Sequence, residues 1–322
     1  MHACQACQPA RVSLTVGVDG SRRQQVEENK NTPQGATFVF LSSKDADLRD
    51  LESTRACFQK HKPTHVIHLA AMVGGLFKNM KYKVEMMTEN MIINQNVLQC
   101  AHECGVDRCV SMTSTCVFPD KIEYPITEDQ IHAGPPHSSN EGYAYAKRMV
   151  EVLSRMYNEQ HGRSYLTVIP TNVFGPHDNY SIDDGHVAPG LMHKCYKAKQ
   201  TGEDLPIWGS GKPLRQFIFS RDLADLVIWS TLTYDGKESL MLSPDEADEI
   251  SIADLAYTIA DCMDFPRDKL KFDTSKSDGQ YKKTVTNLRL RSLRPDYTFT
   301  PFKDAMQTST DWFQANYATC RK

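Results

Sequence analysis

Arg108-Cys109-Val110-Ser111-Met112-Thr113-Ser114-Thr115-Cys116 reads as a short strand that runs into a turn carrying a hydroxyl and a thiol. The central strands of an open parallel sheet deliver functional side chains at this point, because ligands gather at the carboxyl edge of such sheets. Further on, Tyr143-Ala144-Tyr145-Ala146-Lys147 sets a phenol and an ammonium on one face of any helix formed there. A free phenol titrates near roughly pH 10. An ammonium that favours the phenolate brings it toward a range where it can give or take a proton. Taken alone, a pair at this spacing is more often a solvated helix face.

The surrounding pattern predicts an α/β chain. Short apolar runs at Thr37–Leu41, 64–69, Arg108–Met112 and 165–169 are separated by segments of helical period, as a doubly wound, Rossmann-like parallel sheet with crossover helices requires. One helix is expected over 87–104. It turns Met87, Met91, Asn94, Val97, Leu98 and Ala101 toward the core and stops at Gly105. A second carries the Tyr-Lys pair and then Met149, Val150, Leu153 and Tyr157 inward, stopping at Gly162. After Pro170 the alternation gives way to turn-rich sequence, Gly175-Pro176-His177-Asp178-Asn179, Asp183-Asp184-Gly185 and Gly209-Ser210-Gly211. Such stretches cover a site more readily than they extend a sheet. A helix over 222–232 returns to the sheet, and Ser251-Ile252-Ala253-Asp254 is a capping-box start for another reaching about Met263. The expected division is a dinucleotide-binding domain of residues 1–175 plus 216–244, and a smaller substrate-binding domain of 176–215 plus 245–322.

The composition is that of an ordinary globular protein: 322 residues, 40% hydrophobic, 24% charged, formal net charge -3. With no long block of one sign, neither nucleic acid nor an anionic membrane is indicated as a partner. No apolar run approaches the roughly 18 residues of a membrane helix, and the first residues lack the apolar centre of a secretion signal. A cytoplasmic location is expected. Cys4 and Cys7 make one CxxC with no second pair at zinc spacing, so no metal site is expected.

In this order, His68-Leu69-Ala70-Ala71, the Ser-Thr-Cys turn, the Tyr-Lys pair and Pro170-Thr171-Asn172-Val173-Phe174-Gly175-Pro176 resemble the extended short-chain dehydrogenase/reductase family. Ser114-Thr115-Cys116-Val117-Phe118-Pro119, the string from Pro170 to Asn179, and Gly185-His186-Val187 are similar to the branch that makes GDP-L-fucose. The likeness runs from about Phe38 to the C-terminus. It implies an NADPH-dependent enzyme that inverts carbons 3 and 5 of GDP-4-keto-6-deoxy-D-mannose and then reduces carbon 4. It also implies a homodimer.

The same resemblance implies the roles of individual residues. Cys116 would act as base and His186 as acid on either side of the sugar ring, while Ser114 and Tyr143 hold the ketone oxygen. Tyr143 would then give the proton that accompanies the hydride, with Lys147 lowering its pKa and holding the nicotinamide ribose. Lys44, after the second strand, suits a 2'-phosphate and hence NADP(H), although a polar surface loop reads the same way. Asp47, Leu48, Ala70, Pro170, Thr171, Asn172, Val173 and His186 are the further cofactor contacts that the likeness implies. Lys194 and Arg215 would meet the substrate's diphosphate, Trp208 its pocket, and Asp278 a polar group. Without the resemblance, Cys116 would read as an inert buried thiol and His186 as a loop histidine.

The N-terminus departs from the family. A Gly-x-x-Gly-x-x-Gly turn is expected after the first strand, so that backbone can approach a pyrophosphate. Here Val12, Leu14 and Val16 supply a short strand, but Gly17-Val18-Asp19-Gly20 holds only two glycines and adds a carboxylate. The following residues, 21–31, contain one apolar side chain, so a helix there has no face to bury. Two other readings therefore stand beside the enzyme. One is a non-catalytic variant of the same fold that cannot hold NADPH; the other is a different nucleotide-sugar epimerase or dehydratase, against which Cys116 and His186 argue.

Overall fold

The computed structural model describes residues 12–16, 37–276, 278 and 280–322. The glycine-poor turn Gly17-Val18-Asp19-Gly20, the polar stretch 21–31 and the Cys4/Cys7 pair lie outside the described residues.

Six parallel strands form the main sheet: β1 (Val12–Val16), β2 (Thr37–Leu41), β3 (His65–His68), β4 (Arg108–Met112), β5 (Ser164–Pro170) and β10 (Leu240–Leu242). Their order across the sheet is β10-β5-β4-β3-β1-β2. From β1 the chain moves outward to β2 and then crosses back to β3, so the switch point of this sheet lies between β1 and β3. The 12–16 strand is thus an internal member of the sheet, next to the β2 edge, pairing Leu14 with Val39 on one side and Val66 on the other. β4 is buried along its whole length, its polar Arg108 and Ser111 included.

Two long helices cover one face: α3 (Lys83–Glu103) and α4 (Glu141–His161). They follow α1 (Leu51–His61) and the short α2 (Leu76–Lys81). Gly162 ends α4 at φ 65°, a left-handed cap that glycine adopts without strain. On α3 the expected core residues Asn94, Val97, Leu98 and Ala101 are buried. Met87 and Met91 are not; they are 37% and 38% exposed, and Met149 on α4 is 38% exposed. The physical reason is that α3 and α4 use one face on each other and on the sheet, leaving an outer apolar stripe that periodicity alone assigns inward.

Beyond β5 come β6 (Asn172–Phe174), α5 (Val187–Thr201), β7 (Leu205–Trp208), β8 (Leu214–Arg215), β9 (Phe217–Phe219) and α6 (Ser220–Leu232). After β10 follow β11 (Ile250–Ser251), α7 (Ile252–Cys262), β12 (Leu270–Asp273), α8 (Leu288–Leu293) and α9 (Phe302–Ala315). The capping box at Ser251 is formed as the sequence predicts, each partner bonding the other's backbone. Small pairings tie this part together: β7 with β12, β8 with β11, β6 with β9. Its core gathers Tyr180, Leu191, Leu255, Ile259 and Phe313, with Tyr180 stacked on Phe313 at 4.3 Å. The buried residues beneath the sheet, such as Val66, Val97, Leu98 and Cys109, form a separate cluster.

Candidate active site

β4 ends at Met112, and the chain turns into a single 3-10 turn over Thr115–Val117. Ser114 caps that turn, its hydroxyl accepting from the Cys116 amide at 3.4 Å. The hydroxyl and the thiol are therefore held on one tight corner at the carboxyl edge of the sheet. α4 brings the other two groups. Lys147 is 2% exposed, and its ammonium donates to the Met112 carbonyl at 2.8 Å, tying the helix to the strand end. It lies 5.7 Å from the centre of the Tyr143 ring. Gly142 is where α4 meets α3: a Cβ there would fall 2.2 Å from the Lys83 carbonyl oxygen, so any larger residue would push Tyr143 off the corner.

Burial governs the acid-base behaviour of the corner. It pulls Lys147 down to about 8, the Cys116 thiol partly opposing it. Burial and then the neighbouring thiol raise Tyr143 well above an ordinary phenol. This direction is opposite to that expected from the Tyr-Lys pairing, because desolvation dominates and the Cys116 thiol adds to it. A raised phenol stays protonated at neutral pH, which suits it to donate. Cys116 is pushed up by burial and drawn back by Lys283, by the Ser114 hydroxyl and by Lys147, in that order.

Lys283 was not legible as a site residue. It arrives from a segment far along the chain, where Val285 bridges Ile126 and packs with Val117 and Phe118. Gln216 fixes that segment: buried, it accepts from the Val285 amide at 2.8 Å and donates to the carbonyls of Val285, Pro244 and Asp245. Arg148 is also newly placed, donating to the Val117 carbonyl at 2.6 Å and so holding the Cys116 turn from α4. Its neighbour relation to Lys147 in Ala146-Lys147-Arg148 was the one cue in the sequence.

His186 stands at the N-cap of α5 and lines a cavity of about 740 Å³ together with Lys194 and Trp208. The protein around the imidazole pushes it below the ordinary histidine range. Lys194 lies over the Trp208 ring at 3.7 Å and is lowered by burial, with Asp183 opposing. Arg215 and Asp278 do not line this cavity. The Arg215 guanidinium bonds the carbonyls of Leu214, Tyr281 and Gln280. Asp278 accepts from the Ser210 amide and hydroxyl, beside Trp208 in sequence.

The residues expected to meet a cofactor are spread along the sheet's carboxyl edge. Lys44 sits exposed in the loop after β2. Asp47 is bonded by Arg49 at 3.0 and 2.9 Å, while Leu48 and Ala70 pack on the cluster beneath the sheet. Pro170 ends β5, and Asn172 and Val173 continue into β6, with the Asn172 amide nitrogen bonding Gln216. Between them the Thr171 hydroxyl is buried without a bonding partner, an atom available to a ligand. Among the described residues no group of three or more candidate metal ligands occurs.

A family profile for the NAD dependent epimerase/dehydratase family matches residues 2–240. GDP-L-fucose synthase of Dictyostelium discoideum is 56% identical over 314 residues, 97% of this chain and 98% of its own length. The chain belongs to the GDP-L-fucose synthase branch of this epimerase/dehydratase family. A probable GDP-L-fucose synthase of Drosophila melanogaster is 48% identical over 300 residues, covering 91% of this chain and 93% of its own. The crystal structure of a GDP-L-fucose synthetase from Naegleria fowleri bound to NADP is 49% identical and superposes with a TM-score of 0.91, covering 97% of this chain and 95% of that one. The predicted fold class and family likeness are both borne out.

Proposed function

We propose that the chain is an NADPH-dependent enzyme that epimerises GDP-4-keto-6-deoxy-D-mannose at carbons 3 and 5 and reduces it at carbon 4 to GDP-L-fucose. The observation that carries this reading is the Lys147 bond to Met112, which brings a helix-borne phenol to the strand end bearing Ser114 and Cys116. The substrate's ketone acidifies the hydrogens on both flanking carbons. Cys116 takes a proton on one ring face and His186 supplies one on the other, while Ser114 and Tyr143 hold the oxygen where charge develops. NADPH, when bound, supplies the hydride. Tyr143, kept protonated by its buried setting, gives the oxygen its proton. Lys147 keeps α4 in register with the corner.

The residues present fit that cofactor. The orphan Thr171 hydroxyl, flanked by Pro170, Asn172 and Val173, the Lys147 ammonium, His186 and the exposed Lys44 would hold it, with Asp47, Leu48 and Ala70 along the same edge. Lys194, Trp208, Arg215 and Asp278 would receive the GDP half of the substrate. The division into domains 1–175 plus 216–244 and 176–215 plus 245–322 draws support from the separate core around Tyr180 and Phe313, which also takes in Phe174, Phe217 and Phe219, while Leu290, Tyr297 and Phe299 pack with the sheet. Val84, Met87, Met91 and Met156 lie exposed on α3 and α4, and we assign this stripe to a homodimer. Light scattering that finds a dimer in the parent and a monomer in Met91→Lys would bear this out. A cytoplasmic setting is supported by the described cysteines, all of them free thiols. Among the described residues no helix is long and apolar enough to cross a membrane.

One observation favours the non-catalytic reading, the glycine-poor Gly17-Val18-Asp19-Gly20. Titration with NADPH, followed by nicotinamide fluorescence, separates the two. Saturation at micromolar cofactor supports the enzyme; no binding favours the non-catalytic fold.

A further inference from the structure

The walls of the His186 cavity come from two parts of the chain. Lys194, Trp208 and the loop carrying Asp183 and Asp184 come from one; α2, with Lys78 and Lys81, comes from the other. The start of α2 is pressed against that loop. A Cβ on Gly75 would stand 3.3 Å from the Gly185 carbonyl oxygen and 3.5 Å from that of Asp184, so backbone meets backbone just before His186. Asn79 pins the same turn, its amide donating to the carbonyls of Gly74 and Gly75 at 2.7 and 3.0 Å. α2 is thus a fixed wall, and its lysines are held at the cavity.

The charges of this cavity do not suit a nucleoside diphosphate if Lys194 acts alone. Asp183 and Asp184 place two carboxylates beside one ammonium, and that ammonium is already engaged with the Trp208 ring. Arg215, the other expected cation, has its guanidinium on three backbone carbonyls. Lys78 and Lys81 form no ion pair with a described carboxylate; Lys81 lies 5.1 Å from the centre of its neighbour Tyr82's ring. With them, three ammonium groups stand against two carboxylates and the cavity becomes cationic.

We propose that Lys78 and Lys81 are a second diphosphate-binding wall, so that α2 grips the nucleotide sugar in the same cavity as Lys194 and Trp208. This rests on the nucleotide-sugar reading above. Binding there links the half of the molecule that carries the sheet to the half that carries α5, and the link is electrostatic rather than base-specific.

The test compares the parent with the double variants Lys78→Met/Lys81→Met and Lys78→Arg/Lys81→Arg, using GDP, guanosine and NADPH as titrants at low and high salt. The methionine pair should bind GDP about tenfold more weakly and with a shallower salt dependence. The arginine pair should restore both. Guanosine and NADPH affinities should change by less than about twofold. GDP affinity unchanged in the methionine pair overturns the second wall. An equal loss for NADPH also overturns it, moving the lysines to the cofactor. A parent that binds guanosine and GDP equally well shows no diphosphate contact at all and overturns the nucleotide-sugar reading with it.

Discussion

At the β4–α4 corner, functional side chains are tied to buried backbone: Lys147 to Met112, Arg148 to Val117, Ser114 to the Cys116 amide. Around the loop that ends in His186 the corresponding groups face open space, and position comes from turns and close backbone approach instead. The contrast follows what each side must do. A proton donor to a ketone acts only from one geometry, so it is built where rotamers and desolvation are fixed. A wall that admits and releases a charged nucleotide must stay solvated until the ligand arrives.

Removing chemistry from the rigid corner should have the largest effect. Tyr143→Phe is expected to lower ketone reduction by about 10³-fold, within the range for a lost proton donor, while the GDP-sugar dissociation constant stays within about twofold. Stopped-flow oxidation of NADPH and a binding titration measure both; equal reduction rates would remove Tyr143 from the chemistry.

Next comes a direct comparison of the two sides. Cys116→Ser and His186→Gln should both slow solvent exchange at carbons 3 and 5 by about 10²-fold, with reduction of the unepimerised ketone persisting in Cys116→Ser. Added imidazole should partly rescue His186→Gln, because the loop side is open, and a small thiol should not rescue Cys116→Ser behind its packed turn. Rescue of both, or of neither, would erase the contrast.

Stability should differ in the same way. Gly142→Ala drives a methyl into the Lys83 carbonyl and should cost about 2–3 kcal/mol in urea unfolding. Asp184→Ala on the exposed loop should stay within about 0.5 kcal/mol. Similar costs at the two sites would contradict a rigid corner beside a yielding loop.

The smallest effect concerns Lys283. Its ammonium draws the half-buried Cys116 thiol downward against the burial that raises it, so Lys283→Met should move the midpoint of Cys116 alkylation to higher pH, and Lys283→Arg should restore it. Mass spectrometry of the Cys116 peptide follows this thiol among the others. A midpoint that stays put would show that Lys283 does not act on the base.

Local features were legible. Thr37–Leu41 and Arg108–Met112 match the strands residue for residue, and Gly162 and Ser251 mark helix ends, because strand runs and caps are written in neighbouring residues. Met87, Met91 and Met149 were placed inward because a helical period says which residues share a face, not which face meets the sheet. Tyr143 was given the wrong pKa direction since spacing reveals the ammonium but not the desolvation around the phenol. Lys283, Gln216 and the α2 lysines were invisible for a third reason: they reach the site through long-range contacts such as Ile126 with Val285 and Gly75 with Gly185.

The central claim joins two reactions at one site, and a single incubation tests it. Purified chain, NADPH and GDP-4-keto-6-deoxy-D-mannose in deuterium oxide should consume cofactor and yield GDP-L-fucose carrying deuterium at carbons 3 and 5 and protium from NADPH at carbon 4. Consumption of NADPH without deuterium at carbons 3 and 5 would leave a reductase alone. A sugar recovered unchanged, with NADPH intact, would contradict the account outright.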